Sequence, residues 1–219
     1  MTKDSDLQRA VQAELGWDPG ITASHIGVTA ADGVITLSGH VDSFAQKHAA
    51  EAAAHRVKGV NAVAEALEVR LPFEHRKGDD DIAAAASNRL AWDVTVPTKA
   101  VVVTVENGFV RLTGEVGWHY QKEAAEHDVR HLVGVVGVAN NITIKPPHVN
   151  TAKISDDITH ALHRSWFADP ETVFVDADGG NIRLTGTVRS WHDRQAAAEA
   201  AWAAPGASSV ENDLVVLTL

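Results

Sequence analysis

An α+β chain of three tandem αββαβ domains, each a three-stranded mixed sheet with two helices packed on one face, is the architecture this sequence predicts. Three observations lead there. A short pattern occurs three times, as Leu37-Ser38-Gly39-His40-Val41, Leu112-Thr113-Gly114-Glu115-Val116 and Leu184-Thr185-Gly186-Thr187-Val188. Each central glycine is followed twenty positions later by another, Gly59, Gly134 and Gly206. Around these fixed points the apolar period changes in the same order in every copy, helical, alternating, helical, alternating. Self-similarity at fixed spacing makes each copy one supersecondary unit, which divides the chain into domains at 1–71, 78–146 and 151–219.

Each copy opens with apolar residues at i, i+4 and i+8: Leu7, Val11, Leu15; Ile82, Ala86, Leu90; Ile154, Ile158, Leu162. That spacing lines one face of a helix. Acids precede or begin it (Asp4 and Asp6, Asp79 to Asp81, Asp156 and Asp157), where they suit a cap and the positive end of the helix dipole. Two strands follow. The first alternates at Ile26, Val28; Val101, Val103, Val105; and Val173, Val175. The turns Asp32-Gly33, Asn107-Gly108 and Gly179-Gly180 then supply the positive φ of a tight hairpin.

The second strand points Ile35, Leu37, Gly39, Val41 and their counterparts to the core. A glycine in that register is expected where a helix crosses too closely for a Cβ, or else where backbone approaches a ligand. The second helix spans about residues 44–58, 119–133 and 191–205, with small core residues such as Ala50, Ala54, Ala125, Ala197 and Ala201. Gly59, Gly134 and Gly206 are expected to stop it as left-handed caps. The third strand reads Val63, Leu67, Val69; Val138, Ile142, Ile144; Val210, Leu214, Val216. A strand, helix, strand order implies a right-handed parallel crossover.

The Leu-(Ser/Thr)-Gly-x-Val strand, the glycine-terminated helix and the Val-x-Asn-x-(Ile/Leu) strand (Val138, Asn140, Ile142; Val210, Asn212, Leu214) together resemble the BON domain, named for bacterial osmotically inducible and nodulation proteins. The resemblance covers roughly nine tenths of the chain and recurs three times. The first copy departs from it, with Glu65 where the others have asparagine. The resemblance implies a non-catalytic module linked to osmotic and envelope stress, attached to phospholipid surfaces in several members. It also implies an alternative, a cytosolic small-ligand or monovalent-cation sensor. Its better-known members are exported and often periplasmic. This sequence opens with Met1-Thr2-Lys3-Asp4-Ser5-Asp6 and no apolar run, so a cytoplasmic location is expected.

Composition excludes several classes. The net charge of −10 is carried by 8 basic against 10 acidic residues in 1–77, 6 against 9 in 78–150 and 5 against 10 in 151–219. Nucleic acid is thereby an unsuited partner, because phosphate binding needs clustered cations. There is no cysteine, so disulfides and thiolate chemistry are excluded, and no run long and apolar enough for a transmembrane segment. No Gly-x-Ser-x-Gly elbow or phosphate-cradling loop occurs, and carboxylate pairs such as Asp156 and Asp157 are read as helix N-termini. No catalytic residue and no cofactor is assigned. His127 and His131 have helical i, i+4 spacing, but they lie opposite Ala125 and Val129 and face solvent, so no metal site is assigned either.

The remaining candidates concern contact rather than chemistry. Glu65, Asn140 and Asn212 lie in register with apolar residues, where a polar side chain must find backbone partners at a sheet rim or partners in the interior. Phe44, Trp118, His119 and Trp191 cluster where the second strand enters the second helix, behind the expected N-caps Ser43 and Ser190. Rings there serve either as staples or as anchors for a protein partner or a phospholipid surface. Trp17 and Trp92, with Trp166 in the third copy, are expected to close the first helix against the sheet. Arg56, Lys58, Arg70, Arg76 and Lys77 form the densest basic grouping and the expected site of any lipid contact.

Overall fold

The computed structural model describes residues 3–147, 153–164 and 172–217. The first repeat comprises α1 (Lys3–Trp17), β1 (Ile26–Ala31), β2 (Val34–Val41), α2 (Phe44–Arg56) and β3 (Ala62–Val69). The second comprises α3 (Asp79–Trp92), β4 (Val101–Glu106), β5 (Phe109–Val116), α4 (His119–Arg130) and β6 (Gly137–Ile144). The third comprises α5 (Ile154–Arg164), β7 (Val173–Asp178), β8 (Asn181–Val188), α6 (Trp191–Trp202) and β9 (Ser209–Val216). The strand orders are β1-β2-β3, β4-β5-β6 and β7-β8-β9. In the first and third sheets the hairpin is antiparallel and the last strand runs parallel to the central one. By compactness the chain falls into two units, Met1–Thr113 with Ala124–Asn141, and Gly114–Glu123 with Ile142–Leu219.

Each core follows from the two periodicities. In the first repeat Val11 and Leu15 of α1, Ile35, Leu37 and Val41 of β2, Ala50, Ala53 and Ala54 of α2 and Leu67 of β3 form one buried cluster, which places both helices on the same face of the sheet. The third repeat repeats this with Ile158 and Leu162, Ile182, Leu184 and Val188, Ala197 and Ala201, and Leu214. Alanines on α2 and α6 let each helix approach the sheet closely, because a methyl group fills the contact without holding the backbones apart.

Two local expectations are corrected and a third is extended. A Cβ added to Gly39 would fall on the carbonyl oxygen of His25, and one added to Gly186 on that of Thr172. What crowds these glycines is therefore the backbone entering the neighbouring strand, not a crossing helix. Their φ values are +113° and +119°, and Gly114 has +133°, so the residue is demanded by conformation as well as space. Second, α2 ends at Arg56 with Val57 extended, and Gly59 sits two residues later at φ +94° in a turn closed by Val60 N–H to Val57 C=O at 3.2 Å. Gly206 occupies the same turn position, closed by Ala207 N–H to Ala204 C=O at 3.1 Å, and Gly134 has a similar φ of +96°. These glycines turn the chain toward the next strand after the helix has already stopped.

Third, the acids at the helix starts do more than complement a dipole. Asp4 accepts the Asp32 amide at 3.0 Å, and Asp79 accepts those of Asn107 and Gly108 at 2.7 and 2.8 Å. The N-cap of α3 is Gly78, which offers no side chain, so Asp79 clasps the hairpin turn instead of its own helix. Asp32 and Asn107 adopt φ of +50° and +51° in those turns.

Candidate functional site

The polar residue of the third strand acts on backbone beside it. Glu65 accepts the amide of Leu67 at 3.1 Å, and Asn212 accepts that of Leu214 at 3.2 Å. A cation one turn into the second helix completes each arrangement. Lys47 lies 3.0 Å from Glu65 and donates to the Leu67 carbonyl at 2.9 Å. Arg194 donates to the carbonyls of Leu214 and Asn212, while Asn212 returns its amide to the Arg194 carbonyl at 2.9 Å. Asn140 donates to Glu126 of α4 at 3.1 Å. The glutamate of the first copy is thus matched by an ammonium, where asparagine needs only hydrogen bonds.

That carboxylate also acts on its neighbour. Glu51 of α2 is held above the usual carboxylate range, first by desolvation and then by the like charge of Glu65, with Lys47 opposing both. On the same helix, His48 is held below the usual imidazole value, chiefly by desolvation, with Arg130 and His131 adding to the effect and Glu126 opposing it.

At the strand-to-helix entry, Ser43 and Ser190 cap α2 and α6 by accepting the Gln46 and Asp193 amides at 3.2 and 3.1 Å. Trp118 stands where these serines do, and there Gln121, three residues on, reaches back to accept the amides of Gly117 and Trp118 at 3.0 and 3.1 Å. Phe44 and Trp191 are the first residues of their helices and both are half-buried. The Arg194 guanidinium lies 4.8 Å from the Trp191 ring centroid, so this indole covers the cation that ties α6 to β9. His119, the first residue of α4, stacks on Trp202 at the end of α6, with centroids 4.0 Å apart and planes 11° from parallel.

The basic grouping is largely committed within the fold. Arg56 donates to Glu14 at 2.9 Å and lies 3.5 Å from Asp18, and Arg70 makes two bonds to Glu68 at 2.7 and 2.9 Å. Arg76 donates to the Leu71 carbonyl, and with Arg70 and Lys77 it lines a cleft that also holds Glu68 and Asp79. Lys58 is exposed. His127 and His131 are exposed too, and among the described residues no three His, Asp or Glu side chains converge to hold a metal.

The largest departure from expectation is at the ends of the first helices. Trp17 and Trp92 are 86% and 87% exposed, so neither closes its helix against the sheet. Each lies two residues beyond a buried leucine, Leu15 or Leu90, and two steps of about 100° carry a side chain to the far side of a helix. Phe73, beyond β3, is 86% exposed as well. Trp166 lies outside the described residues.

Repeats of this topology, with a glycine of positive φ in each central strand, define a class of small α+β modules used in tandem. The chain belongs to the BON domain family, whose profile matches residues 3–70, 78–146 and 150–218. It is 33% identical over 146 residues to osmotically-inducible protein Y of Escherichia coli strain K12, covering 65% of this chain and 73% of that protein. It also overlaps CdsD, a structural protein of the type III secretion system of Chlamydia trachomatis, at 17% identity over 97% of this chain and 92% of the other. The TM-score of that overlap is 0.27.

Proposed function

We propose that this protein is a non-enzymatic, stress-associated binding or scaffold protein that contacts phospholipid surfaces or protein partners through aromatic anchors. Its relationship to an osmotically inducible protein supports a place in the response to osmotic stress. The observation that carries the reading is the pair Trp17 and Trp92, equivalent residues of two repeats that both expose a whole indole. Tryptophan is suited to an interface that is apolar at one end and wet at the other. No helix among the described residues is long and apolar enough to cross a membrane, so contact of this kind is peripheral.

Charge decides which surface suits it. An anionic leaflet attracts basic groups at about 1 kcal/mol each, and here Arg56 and Arg70 are already paired with carboxylates on a chain of net charge −10. Ring insertion into a zwitterionic surface therefore outweighs electrostatic attraction. Co-sedimentation of the full chain with phosphatidylcholine vesicles tests this. Binding should persist at high salt and be lost in a Trp17→Ala, Trp92→Ala double variant. Equal sedimentation of parent and double variant would remove the anchors from the reading. Absence of sedimentation by the parent would leave a protein partner as the occupant of this surface.

A further inference from the structure

The start of α4 and the end of α6 enclose a hollow of about 460 Å³, within the size range of small-molecule sites. Its walls are the rings of Trp118, His119, Tyr120 and Trp202, and its polar groups are the carboxylates of Glu123 and Glu199. No lysine or arginine lines it. The rings are held in place: His119 is stacked on Trp202, and Trp118 lies 6.4 Å from Tyr120 with planes 27° apart. Glu123 lies 3.4 Å from the Nδ1 of His119, one turn along the same helix.

Aromatic faces carry negative charge density, and carboxylates beside them add a full negative charge. That combination recognises a cation whose own shell is apolar, because methyl groups can rest on the rings without stripping a tightly held hydration layer. A bare metal ion would instead need a cage of oxygens, and two carboxylates on an open rim do not form one. We infer that this hollow binds a methylated ammonium ion, either a free solute or the same group on a lipid head. The assignment is independent of the tryptophan anchors, which lie on other helices.

The test follows the indole N–H resonances of the full chain during titration with tetramethylammonium chloride, against sodium chloride at equal ionic strength. Saturable shifts confined to Trp118 and Trp202 are expected. The uncharged analogue 3,3-dimethylbutanol should bind at least about tenfold more weakly than choline, because it fills the same volume without the charge. Tyr120→Ala and Glu199→Gln should each weaken binding by about three- to tenfold. Both residues are exposed, so these variants keep the fold where a Trp202 substitution risks losing it. Choline-reversible sedimentation with phosphatidylcholine vesicles that survives the loss of Trp17 and Trp92 would assign the lipid head as the source. Choline binding without such sedimentation would assign a free solute. Shifts that do not saturate, equal binding of the neutral analogue, or unchanged affinity in both variants would overturn the site.

Discussion

Replacing Gly39 by alanine isolates the strain that defines each repeat. At φ +113° an L-residue is outside its comfortable backbone regions, at about 1–3 kcal/mol for a forced conformation. The added methyl would also meet the His25 carbonyl, so the start of β1 must shift, an overpacking penalty of about 1–3 kcal/mol more. The sum, about 2–6 kcal/mol, is a large part of what holds a domain of this size, about 3–10 kcal/mol. At about 4–8 °C per kcal/mol, the transition of the first repeat should fall by at least ~8 °C. Thermal melting of the full chain, with hydrogen exchange of β1 and β2 peptides, would assign the loss to the first repeat. Gly16→Ala is the control: nothing lies within 4 Å of its added methyl, and it sits in α1, where alanine gains about 0.5–1 kcal/mol over glycine. A Gly39→Ala protein that melts within 2 °C or so of the parent, with unchanged exchange protection, would refute the reasoning.

Two further outcomes concern charged side chains. Asp128 of α4 is 5% exposed and receives the Arg89 Nε at 2.9 Å, so Arg89→Met should cost about 1–3 kcal/mol by leaving a carboxylate buried without its cation, as read from guanidinium unfolding. Restoring stability by adding Asp128→Leu would identify the unpaired charge as the cause. The raised proton affinity of Glu51 means the folded state holds that proton more tightly than the unfolded one; its contribution is present below the ordinary glutamate value and lost as pH rises through the folded value. Glu51→Gln should therefore be more stable than the parent near neutrality, with the difference closing as pH falls toward 4.5, measured by melting across that range.

Much of the fold was legible because periodicity and burial report the same geometry. Val11 and Leu15, Ile82 and Leu90, Ile158 and Leu162 are buried as their spacing requires. The strand glycine was legible as an anomaly but not in its cause, since alternation assigns a face and carries no information about the sign of φ. The exposure of Trp17 and Trp92 was available from the helical wheel anchored on Leu15 and Leu90, where rotation about the axis carries the ring away from the sheet. The aromatic hollow could not be read from sequence, because Trp118 and Trp202 belong to different repeats and only the folded chain brings them together. Trp118 and His119 were singled out by their place at a helix entry, whereas Tyr120 and Trp202 carried no signal of their own.

In every sheet the last strand pairs with only one neighbour, which leaves its other rim to be guarded by side chains. Open rims of this kind invite a second chain to add a strand and start a fibre. The side chains along them discourage it. Glu65 and Lys47 hold the amide and carbonyl of Leu67 on β3, and Asn212 and Arg194 hold those of Leu214 on β9, so a strand arriving there meets backbone groups that are already bonded.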